Sequence, residues 1–139
     1  LMEAVHLTYV EQIFNPQLEM LTTETPFREV LDDLISFVTT VDDNQEAPKG
    51  CLMVKMFESR TRVGTATREQ IDRTRERVLA AYEDWVERSK AKNEFSADMS
   101  SRFAAIYIQA QLSHASSQIA HGEPGDDVKK ILTMAFSML

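Results

Sequence analysis

The sequence has little cysteine, glycine and proline: one cysteine, four glycines and four prolines in 139 residues. A single cysteine excludes an internal disulfide and a paired-cysteine metal site, and it favours the reducing cytoplasm. The glycines are too scattered for a phosphate-binding loop. We therefore expect a cytoplasmic protein without a cofactor or a bound metal.

Long apolar runs and positive charge are also scarce. No run approaches the roughly 18 residues that span a bilayer, and no secretory signal is visible, so we expect no membrane association. Asp and Glu number 22 against 15 Lys and Arg, a net charge of −7. Because acidic surfaces repel phosphate, this chain by itself should not bind nucleic acid.

Helical periodicity is abundant, whereas no stretch alternates as a strand does and no repeat is present. With 43% hydrophobic residues, the chain is predicted to be one all-α domain spanning 1–139, with six helical segments. The first, 1–21, is interrupted at Asn15-Pro16, because proline lacks an N–H and clashes with the preceding turn. The second is capped by Thr25, with Pro26 at its first position.

The middle of the chain predicts a short apolar helix over 50–60 and then a long one. Thr67 and Gln70 have the spacing of a capping box, which would open a helix running to about Lys92. Its apolar stripe is expected to face inward: Ile71, Val78, Leu79, Tyr82, Trp85 and Val86. The opposite side alternates in charge and is typical of a solvated face.

The last two segments, 98–122 and the helix after the Gly122–Gly125 breaker, have more apolar surface than one protomer needs. The first carries two stripes: Phe103, Ile106, Tyr107, Ala110 and His114, and separately Ile108, Leu112, Ala115 and Ile119. Two such helices predict half of a four-helix bundle in a homodimer. We assign to its interface the second stripe and the terminal helix: Ile108, Leu112, Ala115, Ile119, Val128, Ile131, Leu132 and Ala135.

Catalytic and metal-binding patterns are weak. Ser113 and His114 are neighbours, but no carboxylate stands at a spacing that would orient the histidine as a base. His114 and His121 are two helical turns apart, about 10–11 Å, which is too far for one metal ion. Packing or surface exposure explains both histidines, so we predict no enzyme activity and no catalytic residues.

Aromatic residues and methionines are spread over five helical segments. They are explained either by an ordinary core or by a cavity for a small hydrophobic or aromatic effector. The cavity interpretation places these residues around the ligand: Phe14, Leu18, Phe37, Cys51, Val54, Phe57, Tyr82, Trp85, Phe103, Tyr107 and Gln111.

Cys51 also has a possible role of its own. It stands near the start of the predicted helix over 50–60, where free N–H groups stabilise a thiolate, and Lys55 follows one turn later. This pair is a candidate redox or electrophile sensor. A small buried hydrophobe is the simpler interpretation.

The segment Lys49-Gly-Cys-Leu-Met-Val-Lys-Met-Phe-Glu58 resembles the Gly-Cys-Leu segment in the regulatory domain of many TetR-type transcriptional repressors. Leu1-Met-Glu-Ala-Val5 is similar to the start of that family's fourth helix, and the helix order matches over the whole chain. The resemblance implies a ligand-binding and dimerisation domain, in which an inducer releases operator DNA. Residues 1–21 would then link this domain to a helix-turn-helix that precedes Leu1.

Two alternatives stay open beside that interpretation. Some members of the family respond to electrophiles through a cysteine, and Cys51 and Lys55 match that arrangement. An all-α enzyme or scaffold is the other possibility. The sequence does not select an effector, an operator or the regulated genes.

Overall fold

The computed structural model describes residues 15–40 and 64–139, and these ranges contain five helices and no strand. The predicted all-α class is therefore confirmed for this part of the chain. The predicted helix over 50–60 and most of 1–21 lie outside the described residues. The helices are α1 (Asn15–Met20), α2 (Phe27–Thr39), α3 (Thr65–Ala91), α4 (Ser101–Ala120) and α5 (Gly125–Ala135).

The long helix α3 buries the apolar stripe that its sequence predicts. All six residues of that stripe are buried, together with Thr67 and Ser89. The predicted capping box is wrong, because the N-cap is Gly64, three residues before Thr67, and it makes no side-chain cap. Thr67 lies inside the first turn and is buried, whereas Gln70 Oε1 is buried without a hydrogen-bond partner.

Helix α2 is capped by a residue from a distant part of the chain. The predicted cap by Thr25 is wrong: Pro26 occupies the N-cap position and makes no side-chain cap. Instead the Phe27 N–H donates to Oε2 of Glu94 at 2.7 Å. Since the first N–H groups of a helix have no partner within it, a carboxylate there satisfies a donor and complements the helix dipole.

The end of α3 positions this glutamate. Asn93 adopts a left-handed conformation with φ of 58°, and its N–H donates to the Lys90 carbonyl at 3.0 Å. The Glu94 N–H then donates to the Ser89 carbonyl at 2.9 Å. This pair of bonds is the Schellman motif, which asparagine tolerates better than most residues. The turn that ends α3 thus holds the carboxylate that starts α2.

We expect Glu94→Ala to lower the free energy of unfolding by about 1 kcal/mol, as loss of a helix cap commonly does. The measurement is urea denaturation followed by circular dichroism. Glu24→Ala is the matched control, because Glu24 is exposed and only pairs with Lys92 at 3.3 Å. Exposed pairs contribute little, so equal losses for both variants would contradict a capping role for Glu94.

The core is centred on an aromatic cluster between α2 and α3. The rings of Phe27 and Trp85 stack with centroids 4.6 Å apart, Phe95 meets Phe27 edge-on at 5.1 Å, and Tyr82 meets Trp85 at 6.1 Å. Helix α4 packs against α2, α3 and α5. Its Ala104 and Ala105 are fully buried, and their small size lets neighbouring helices approach closely.

Helices α4 and α5 form a hairpin with a tight turn. Gly122 has φ of 93°, its N–H donates to the Ile119 carbonyl at 3.0 Å, and the Glu123 N–H donates to the Gln118 carbonyl at 3.1 Å. This is a second Schellman motif, with glycine at the left-handed position. The chain then reverses at Pro124, and α5 returns alongside α4.

Candidate functional site

Helix α4 is covered on one side only. Its buried residues follow helical spacing and meet α2, α3 and α5: Ser101, Ala104, Ala105, Ile108, Leu112, Ala115 and Ser116. At 100° per residue, the opposite side of the helix holds Phe103, Ile106, Ala110 and His114, all of which are exposed. The structure therefore buries one of the two predicted stripes and exposes the other.

The structure places most residues of the predicted dimer interface inside the protomer. Ile108, Leu112, Ala115, Val128 and Leu132 are each at most 3% exposed within the protomer. Ile119 and Ala135 are half-buried against the same core. Ile131 is the one predicted interface residue that is exposed. The protomer's own helices already cover the five buried residues, whereas Ile119 and Ala135 keep part of their surface exposed.

Five large apolar side chains remain in solvent on α4, on α5 and just beyond α5. The exposed fractions are 58% for Phe103, 42% for Ile106, 45% for Ile131, 75% for Met134 and 89% for Met138. With side-chain areas on the order of 200 Å², they expose roughly 600 Å². Exposed apolar area of this amount is typical of proteins with an interaction site. We call these five residues, with Ala110, the apolar face.

The outer side of α4 is also free of charge. Arg102 is the one Asp, Glu, Lys or Arg residue between Ser101 and Ala120. Its guanidinium lies at the edge of the helix, 3.4 Å from the carboxylate of Glu76 and 3.7 Å from that of Glu83. Solvated helices of single-chain proteins carry charges on their outer side, as α3 does, so α4 has the composition of an interface helix.

Tyr107 joins the two helices that carry the apolar face. Its hydroxyl donates to the Ala135 carbonyl of α5 at 2.5 Å. Its ring lies 6.4 Å from that of Phe103 in a stacked arrangement and meets the Phe136 ring edge-on at 6.3 Å. These contacts join α4 to the end of α5 beside Phe103, one of the residues of the apolar face.

The predicted ligand-binding residues do not form one site in the described part of the chain. Phe14, Cys51, Val54 and Phe57 lie outside the described residues, as does Lys55, so the predicted sensor at Cys51 stays a prediction. Leu18 and Phe37 are half-buried against the core. Tyr82 and Trp85 belong to the aromatic cluster, where other rings fill the space around them.

Phe103, Tyr107 and Gln111 lie on α4. Phe103 is more than half exposed, so it does not line an enclosed cavity, and Tyr107 and Gln111 are half-buried. The rings of Phe103 and Tyr107 contact each other and Phe136, whereas Tyr82 and Trp85 contact Phe27 and each other. The sequence-based list therefore mixes two separate aromatic groups.

A buried polar pair that the sequence did not reveal links α1 to α3. Gln17 is 5% exposed, and the Tyr82 hydroxyl lies 3.4 Å from its Oε1. Burial raises the pKa of Tyr82 above its usual range, so the hydroxyl stays protonated and available as a donor. Apolar periodicity gives no weight to a glutamine, and this explains why Gln17 was missed.

Metal-binding and membrane-spanning features are absent from the described ranges. No group of three or more His, Cys, Asp or Glu residues could hold a metal ion there. Within the same ranges, no helix combines the length and apolar character needed to cross a membrane. His114 is exposed, and His121 Nδ1 lies 2.6 Å from the Ser117 carbonyl.

Comparison with protein-family models, with curated proteins and with solved structures finds no match to this chain.

Proposed function

We propose that this chain is the ligand-sensing and dimerisation domain of a TetR-type transcriptional repressor. The observation that carries the proposal is the apolar face on the last two described helices, whose part on α4 carries no charged side chain. A face of this kind is costly to leave in water, and its place at the end of an all-α domain agrees with the resemblance noted in the sequence.

A second copy of the same chain is the occupant that best fits this face. A two-fold pairing buries the same residues on both protomers, so an uncharged patch needs no complementary charges on another protein. The five large apolar side chains supply roughly 600 Å². Small neutral residues around them add further area. A stable interface buries about 800 Å² on each partner.

Effector binding is proposed to occur away from this face, among the helices that the aromatic cluster joins. The Gln17–Tyr82 pair marks the contact between α1 and α3 that such an effector would open, because the two side chains bond to each other and other rings fill the space beside Tyr82. Once separated, they would offer a polar donor and acceptor in apolar surroundings, which is the composition of sites for small hydrophobic or aromatic ligands.

In the proposed mechanism an effector between the helices displaces residues 1–21, which move as a pendulum. The spacing of two DNA-reading helix-turn-helix units outside this chain then changes, and operator half-sites no longer match. The effector acts by favouring one of two conformations. The acidic charge of this domain keeps DNA contact in the other unit.

Sedimentation of the purified chain tests assembly. We expect a dimer at tens of micromolar, in the range of moderate affinities. A thermal-shift screen with small aromatic and hydrophobic compounds tests sensing, because a ligand of the folded state raises its apparent stability. A monomer that no compound stabilises would refute the proposal. A monomer with a binder would leave a scaffold or an enzyme, and activity assays on that compound would separate them.

A further inference from the structure

The outer side of α4 is divided into a bulky half and a small half. Phe103 and Ile106 occupy the first half, and Ser113, His114 and Ser117 occupy the second. Ala110 lies between them, in the middle of the exposed side. Phe103, Ala110 and Ser117 are spaced by seven residues, so they lie in one row along the helix. Large and small residues are therefore separated along that row.

We propose that two copies of the chain pair through α4 in antiparallel orientation, with the two-fold axis passing beside Ala110. In this register Phe103 lies opposite Ser117 of the partner subunit, and Ile106 lies opposite His114 of the partner subunit. Ala110 meets its own equivalent. The inference rests on the proposed dimerisation and adds to it the orientation and register of the interface.

Packing favours the antiparallel arrangement. Interfaces reach the density of protein interiors only when large side chains of one helix fill space above small side chains of the other. A parallel pair would place Phe103 against its own equivalent and would leave a gap between the two serine-containing halves. The antiparallel pair sets each bulky half over a small half, and Ala110 at the axis allows the close approach of about 8–10 Å between helix axes.

The helix dipoles favour the same orientation. The dipoles of the two α4 helices oppose each other in an antiparallel pair, whereas a parallel pair would align them. Arg102 does not influence this choice, because its guanidinium already pairs with Glu76 and Glu83 of the same chain.

Disulfide cross-linking distinguishes the two orientations. The chain is prepared with its native Cys51 replaced by serine, and Ala110→Cys and Ser117→Cys are made separately in that background. Both changes exchange one small residue for another, so the face keeps its shape. A disulfide requires Cα atoms about 4.4–6.8 Å apart. In the proposed register only position 110 meets this limit, because the two copies of position 117 are about 20 Å apart at 1.5 Å per residue.

We expect oxidation to convert most of the Ala110→Cys variant to a covalent dimer. The Ser117→Cys variant should form no more covalent dimer than the cysteine-free chain does. Cross-linking of both variants would show a parallel pair and overturn the register. A dimer in sedimentation that neither variant cross-links would place the interface elsewhere and overturn the assignment to α4. A monomer in sedimentation would instead refute dimerisation, so failure of the register and failure of the proposed function are distinguishable.

Discussion

Ile106→Glu should convert the proposed dimer into folded monomers. Ile106 is 42% exposed in the protomer, so the glutamate is solvated there and the fold is unaffected. In the dimer the same carboxylate would lose its solvent between Phe103 and Ala110, opposite the partner subunit's His114 and without a lysine or arginine facing it across the interface. Burying an ion without a partner costs several kcal/mol, and two-fold symmetry applies that cost twice.

We expect the dissociation constant of Ile106→Glu to rise at least about 100-fold, equivalent to about 2.7 kcal/mol. Analytical ultracentrifugation over a concentration series measures this change, and circular dichroism checks that the fold is retained. Ala80→Glu is the matched control, because Ala80 is exposed on α3 and lies outside the apolar face. If the control dissociates equally, or if Ile106→Glu stays dimeric, the apolar face is not the interface.

Gly125→Ala should cause the largest loss of stability among single-atom additions to this chain's described glycines. A Cβ at Gly125 would lie 2.8 Å from the Thr39 carbonyl oxygen, closer than carbon and oxygen tolerate. The carbonyl oxygen is part of the backbone at the end of α2, and the added Cβ is bonded directly to the backbone at the start of α5. Neither atom can therefore move without displacing a helix. The present approach is favourable because a carbonyl end of one helix meets the N–H end of another.

Overpacking of this kind costs about 1–3 kcal/mol, and we expect Gly125→Ala to unfold at correspondingly lower temperature. Calorimetry of the purified variant measures the change. Gly64→Ser serves as control, since a Cβ at Gly64 meets nothing within 4 Å and serine is a good N-cap for α3. The expectation fails if Gly125→Ala unfolds at or above the temperature of the unmodified chain.

Local patterns predicted the helices better than their partners. The stripe on α3 was predicted in full, because six apolar residues at helical spacing leave one way to bury that helix. On α4 the same method found two stripes and assigned to the interface the one that the protomer buries. Periodicity defines both sides of a helix equally, and only the packing of α2, α3 and α5 decides which side is covered.

Long-range contacts were not predictable from spacing. Glu94 caps α2 from 67 residues away, and the Tyr82 hydroxyl reaches Gln17 across 65. The sequence suggested a local cap by Thr25 for α2 and a capping box at Thr67 for α3. The structure shows neither of these local caps. Side-chain composition did give one usable signal: the buried stripe of α4 is accompanied by Ala104, Ala105 and Ser116, which permit close helix packing.

Trp85 is the chain's one tryptophan, and it is enclosed by Phe27 and Tyr82. Its indole is buried in the aromatic cluster, whereas the apolar face is built from phenylalanine, isoleucine and methionine. Intrinsic fluorescence should therefore report the melting of the interior and stay constant while subunits separate. Fluorescence can then record unfolding without an added label, while sedimentation of the same sample records association independently.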